Sequence, residues 1–235
     1  MRKSIWGVPL LLLAATTWAR ADSFTFVTPA GSTVGGLPVD ASATLVTNAN
    51  GTIDVTLTDL EANPTNISQL LSDLQFTLSK NAIVNVMTSS GQEITVQPNG
   101  TFTAGSTVDT GWGLPFSTPG VFQLDVLGTP TAPAHLIIGP PGPGNVYSNA
   151  NSSIAGNGPH NPFLGQTATF VLSAPGVTDT TTVTSATFSF GTVAGVNVAG
   201  VPTGPVPTPE PSSIALLGAG LLATILIRKR QLDFT

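Results

Sequence analysis

The chain has 235 residues, 41% hydrophobic and only 8% charged, with 25 Gly and 20 Pro. A soluble domain usually carries about 25% charged residues. Thr, Ser, Asn and Gly must therefore cover the surface, which excludes charge-driven disorder and suits short strands and turns. Of the bases, Arg2, Lys3, Arg20, Arg228, Lys229 and Arg230 lie near the two ends. Lys80 alone faces ten acids between Asp22 and Thr208, a net charge of −9 for one base against ten acids. That excludes nucleic acid as a partner, because phosphate recognition needs clustered bases. The absence of Cys excludes disulfides, thiolate metal sites and cysteine nucleophiles.

Residues 1–21 read as a secretory signal peptide. Arg2 and Lys3 form its charged start, and Ile5 to Ala15 its apolar stretch. Ala19 and Ala21 are small residues at the two positions a signal peptidase reads, so cleavage is expected before Asp22.

A single domain is expected over 22–198. β-forming runs occur at 23–27, 43–46, 52–57, 74–78, 93–96, 121–126, 167–172 and 183–190. In the third, Ile53, Val55 and Leu57 alternate with Thr52, Asp54 and Thr56, the period of a half-buried strand. Asn48 to Gly51 reads as a hairpin connection. Many short strands separated by Gly, Pro and Asn predict an all-β domain, an antiparallel β-sandwich or jelly roll. One short helix is expected after Pro64. Asn66 caps it, Gln69 completes a capping box, and Ile67, Leu70, Leu71 and Leu74 share a face.

Candidate sites are sparse. Asp54, Asp59 and Glu61 offer oxygens that suit calcium, yet alternating acids on a strand equally make a solvated face. Trp112 and Tyr147 are candidate stacking residues for a sugar, although a Trp between two glycines equally plugs a core. The Pro- and Gly-dense stretch 129–162 predicts a long irregular excursion and holds both histidines, His135 and His160. A metal centre would need both and a carboxylate such as Asp125 to converge. His160, within Asn157 to Phe163, equally serves to stabilise a turn. Asn-x-Ser/Thr triplets at Asn50, Asn66, Asn99 and Asn151 arise readily by chance in so Asn- and Thr-rich a chain. With no Gly-x-Ser-x-Gly elbow, no catalytic residue, metal or cofactor is expected. A histidine beside a carboxylate in a cleft would point instead to a hydrolase.

After a Pro-rich linker, 199–208, come Pro209-Glu210-Pro211, the apolar stretch Ile214 to Ile227, the triplet Arg228-Lys229-Arg230, and a tail at 231–235. At 1.5 Å per residue the apolar stretch spans about 21 Å, short of a bilayer core of about 30 Å unless flanking serines and snorkelling bases extend it. The bases predict a transmembrane helix with a cytoplasmic tail, leaving Asp22 to Pro211 outside the inner membrane.

Pro209, Glu210 and Pro211, an apolar helix with internal glycines, and Arg228, Lys229 and Arg230 together resemble the PEP-CTERM sorting signal of Gram-negative bacteria. That resemblance implies processing by an exosortase, a membrane-embedded cysteine enzyme, in a protein destined for the envelope or an exopolysaccharide matrix. The blocks Asn63 to Leu71 and Asn157 to Phe163 are similar to blocks in a group of PEP-CTERM proteins and imply no activity. The resulting expectation is a structural or adhesive matrix protein, with an extracellular carbohydrate-binding module as the alternative. Signal peptidase, exosortase, the inner membrane and extracellular polysaccharide are the expected partners.

Overall fold

The structure, a computed structural model, describes residues 22–128, 135–193 and 195–204. The expected signal peptide, transmembrane helix, sorting motif and tail lie outside these residues. Fifteen strands follow in chain order: β1 (Asp22–Val27), β2 (Thr33–Val34), β3 (Leu37–Pro38), β4 (Ala41–Thr47), β5 (Thr52–Asp59), β6 (Leu71–Leu78), β7 (Asn85–Val96) and β8 (Phe102–Val108). Then come β9 (Gly113–Thr118), β10 (Val121–Asp125), β11 (Ile137–Ile138), β12 (Phe163–Ser173), β13 (Val183–Phe190), β14 (Asn197–Ala199) and β15 (Val201–Thr203). The domain is all-β, as its strand-period sequence predicts.

Alternation sets which face each strand buries. In β4, Ala41, Ala43, Leu45 and Thr47 point inward, and in β5 Ile53, Val55, Leu57 and Asp59 do. The turn between them uses Asn50, whose side chain accepts from the backbone N–H and hydroxyl of Thr52, while Gly51 takes φ 78°. The β7–β8 turn repeats the device with Asn99, Thr101 and Gly100 at φ 83°. Two of the Asn-x-Thr triplets thus serve as hairpin turns, where Asn accepts locally and Gly supplies the left-handed backbone.

Thirteen strands form one hydrogen-bonded network in two antiparallel groups. One runs β15-β1-β4-β5-β12 with β7 and β8 beyond it, and the other β14-β13-β6-β10-β9. The short strand β11 joins them, parallel to β12 through Ile137 and Leu164 and antiparallel to β6 through Ile137 and Leu71. The network folds over itself, with β13 against β1, β4 and β15. The core lies between, with Phe76 against Phe122 and Trp112 against Phe170, each pair at 5.5 Å between ring centres.

The expected helix shrinks to a single 3-10 turn, Ile67–Gln69. Its capping box forms as predicted, but Leu70 leaves it with ψ 137°, and Leu71 and Leu74 belong to β6. A strand parity of Leu74, Phe76 and Leu78 accounts for Leu74, Leu71 is buried between its partners Ile137 of β11 and Phe190 of β13, and pairing with β13 and β10 decides between the two periods. Strand pairing also continues past the expected boundary at 198. Val201–Thr203, assigned from its prolines to the linker, pairs with β1, with Pro202 opposite Phe26. Its place at the end of the strand order makes a residue without an N–H tolerable there.

Candidate functional site: a polar cleft across four strands

Strand β6 carries polar residues on its outer face and Leu74 and Phe76 beneath them. Its neighbours are in matching parity. Asp73 stands opposite Asp125 on β10 and Ser189 on β13, and Ser189 stands opposite Asn197 on β14. Two residues along, Gln75 stands opposite Gln123 and Thr187. These two rungs of oxygen-bearing side chains floor a cavity of about 230 Å³, walled by Leu127 after β10 and by Val193 and Gly195 between β13 and β14.

The floor is polar yet covered. Asp73 is 5% exposed and Asp125 7%. Both oxygens of Asp125 accept backbone N–H groups, Oδ1 from Leu127 at 2.7 Å and Oδ2 from Gly128 at 2.8 Å. Asp73 is less well provided. Its Oδ2 accepts from Gln123 Nε2, but its Oδ1 is buried without a hydrogen-bond partner. Burial pushes the Asp73 carboxyl up to about 7, helped by Asp125 and opposed by the Gln123 hydrogen bond that favours its charged form. Ser189 donates to Asn197 Oδ1 at 2.5 Å, and Ser72 donates to the Ser189 carbonyl at 3.2 Å. Like charges directly opposed on neighbouring strands are destabilising. An orphaned buried acceptor adds a further cost of about 1–3 kcal/mol, so the cleft is an expensive arrangement for a fold to keep.

The residues singled out from sequence lie elsewhere. Trp112 is 4% exposed, packed against Phe170 with the rings tilted by 51°, and donates from Nε1 to the His135 carbonyl at 2.7 Å. Tyr147 is 3% exposed, edge-on to Phe102, and donates its hydroxyl to Gly139 O at 3.0 Å. Burial and the nearby Asp59 hold that phenol above its ordinary value. The expectation of an exposed stacking platform is corrected. Both rings are core residues whose single polar atoms are satisfied inside, so neither face is presented to a sugar.

His160 is half-buried in the turn 157–163, where its N–H donates to Asn157 O at 3.0 Å. His135 is 1% exposed, with Nδ1 2.6 Å from Pro162 O and Nε2 3.5 Å from Glu93 Oε1. Neither histidine nor Glu93 lines the cleft, so the arrangement named for a hydrolase is not found there. The acids considered for calcium are also divided. Asp54 is exposed and accepts from Asn48, whereas Asp59 is fully buried and accepts from the N–H groups of Glu61 and Leu71. Among the described residues no group of three His, Cys, Asp or Glu side chains is placed to hold a metal.

Sequence reasoning missed Asp73. A usable signal existed in the parallel patterns Asp73-Leu-Gln75-Phe76 and Phe122-Gln-Leu-Asp125, each polar on one parity and apolar on the other. What it lacked was the register that sets them side by side.

Residues 207–231 match the family model of the PEP-CTERM protein-sorting motif, taking in the whole of the expected 209–230. The motif marks the chain as an exported exosortase substrate, sorted to the bacterial cell surface. No curated protein and no solved structure matches the chain.

Proposed function

We propose that this protein is exported by an N-terminal signal peptide, held transiently by a C-terminal transmembrane helix, processed at both ends, and left in a Gram-negative envelope or exopolysaccharide matrix. There its β domain, read as sandwich-like, acts as a structural or adhesive component and not as an enzyme. The observation that carries this reading is the sorting motif at 207–231 immediately behind an acidic β domain. One feature of the fold supports it. Strand β15 runs antiparallel to β1 from Val201 opposite Val27 to Thr203 opposite Thr25, so the chain leaves the domain heading toward the Asp22 end. Asp22 and Thr203 therefore lie toward the same end of β1.

Intact mass spectrometry of the surface or secreted form is the test. The expected species begins at Asp22 and lacks the segment after Pro211. A delivered form that still carries Arg228 to Arg230, with the exosortase intact in the host, would overturn the processing route.

A further inference from the structure

We propose that the cleft formed by β14, β13, β6 and β10 is a binding site for a divalent cation of the calcium class, with Asp73 Oδ1 as its anchoring ligand. The two rungs bring together the chemistry such an ion takes: carboxylate, amide and hydroxyl oxygens and no nitrogen base. Asp73 and Asp125 supply the charge, Gln75, Gln123, Ser189 and Asn197 the neutral groups, and water the remaining positions in a cavity of about 230 Å³.

Three independent features point to a cation. Oδ1 of Asp73 is a buried acceptor with nothing bound to it, on a side chain 95% removed from solvent by its 5% exposure. Strand register places a second carboxylate directly opposite, and register is fixed by the apolar parity of Leu74, Phe76, Phe122 and Leu124 beneath, so the chain cannot slip to separate the charges. No basic side chain offsets them. Lys80, the one lysine or arginine from Asp22 to Gly204, donates to Gly176 O at 2.7 Å instead. A hard dication resolves all three at once, filling the orphaned valence and neutralising the pair.

Only two carboxylates contribute, so affinity belongs at the weak, extracellular end of the calcium range, with Kd of about 10⁻⁴–10⁻³ M. Calcium alone serves as the probe, on the mature exported chain. Equilibrium dialysis is expected to find one bound ion per chain at saturation. At about 10 mM Ca²⁺ the folded-to-unfolded ratio is expected to rise about tenfold or more. Asp73→Asn keeps the shape of the side chain and removes the anchoring charge. It is expected to lower affinity at least tenfold while folding at least as well as the parent without calcium, since a buried charge has been removed. Asp125→Asn gives a second measure should the first variant misfold, and Asp54→Asn, on an exposed acid elsewhere, is expected to bind like the parent. Three results would each overturn the proposal: no bound ion at about 10 mM, equal binding by both cleft variants and the parent, or equal loss in Asp54→Asn, which would mean diffuse attraction to an acidic surface. Binding of a neutral monosaccharide in the cleft with no binding of calcium would overturn it too.

Discussion

Asp73 dominates the chemistry at the residue scale. Because burial raises its carboxyl to about 7 from an ordinary 3.8, the folded state binds its proton more tightly than the unfolded state does. The stability this contributes is fully present below about pH 4 and is lost as pH rises through about 7, at up to about 1.4 kcal/mol per pH unit. Asp59, fully buried, and Glu61 are shifted upward as well, so both act in the same direction. Denaturant unfolding in calcium-free buffer is expected to show the protein more stable at about pH 5 than at about pH 8, with the difference reduced in Asp73→Asn. An unchanged pH slope in that variant would place the titrating group elsewhere.

Trp112 and Gln69 give two further tests at this scale. Trp112→Ala removes a core ring and leaves the His135 carbonyl without its indole donor, and is expected to cost about 3–5 kcal/mol of stability. Gln69 is 2% exposed; its Oε1 accepts from the N–H groups of Thr65 and Asn66 at 2.8 and 3.1 Å, and its Nε2 donates to Pro38 O at 2.9 Å. Gln69→Ala removes these three part-buried hydrogen bonds to the backbone and is expected to cost about 1–3 kcal/mol, read from the denaturation midpoint.

Among the elements, the 3-10 turn shows how a local signal and a long-range one divide the same residues. The capping box between Asn66 and Gln69 is a contact over three residues, so it forms wherever the chain can turn, and it was legible in the sequence. The leucines after it serve a helix face and a strand face equally well until neighbours are known, and β13 and β10 supply those neighbours. Among the strands that escaped the sequence, β8 and β11 have a different reason. β8 is exposed along nearly its whole length, so no apolar alternation marks it, and β11 spans two residues. Both form because a neighbour offers unpaired N–H and C=O groups. Of the stretch 129–162, expected to be irregular, the described residues 135–162 hold the two-residue strand β11 and turns, and they are tied down: Asn161 exchanges two hydrogen bonds with the backbone of Val96, and Ser153 accepts from Ile67 N–H.

For the molecule as a whole, the distribution of charge and the direction of the chain ends agree. The bases sit near the ends of the sequence, the domain between them is acidic, and β15 runs back along β1 toward Asp22. The mass of the delivered form is the measurement that joins these features, since it reads both cleavage positions in one experiment.

By itself the sequence determined what depends on short stretches: a charged start with small residues at 19 and 21, the Pro-Glu-Pro motif with its closing bases, strand periodicity, and turns built on Asn-Gly. The tertiary structure alone decided that Trp112 and Tyr147 are interior and that Asp73 faces Asp125. The physical reason is separation along the chain. The cleft joins Asp73 to Gln123, 50 residues away, and no local preference encodes a register that emerges only when apolar faces from distant strands pack together.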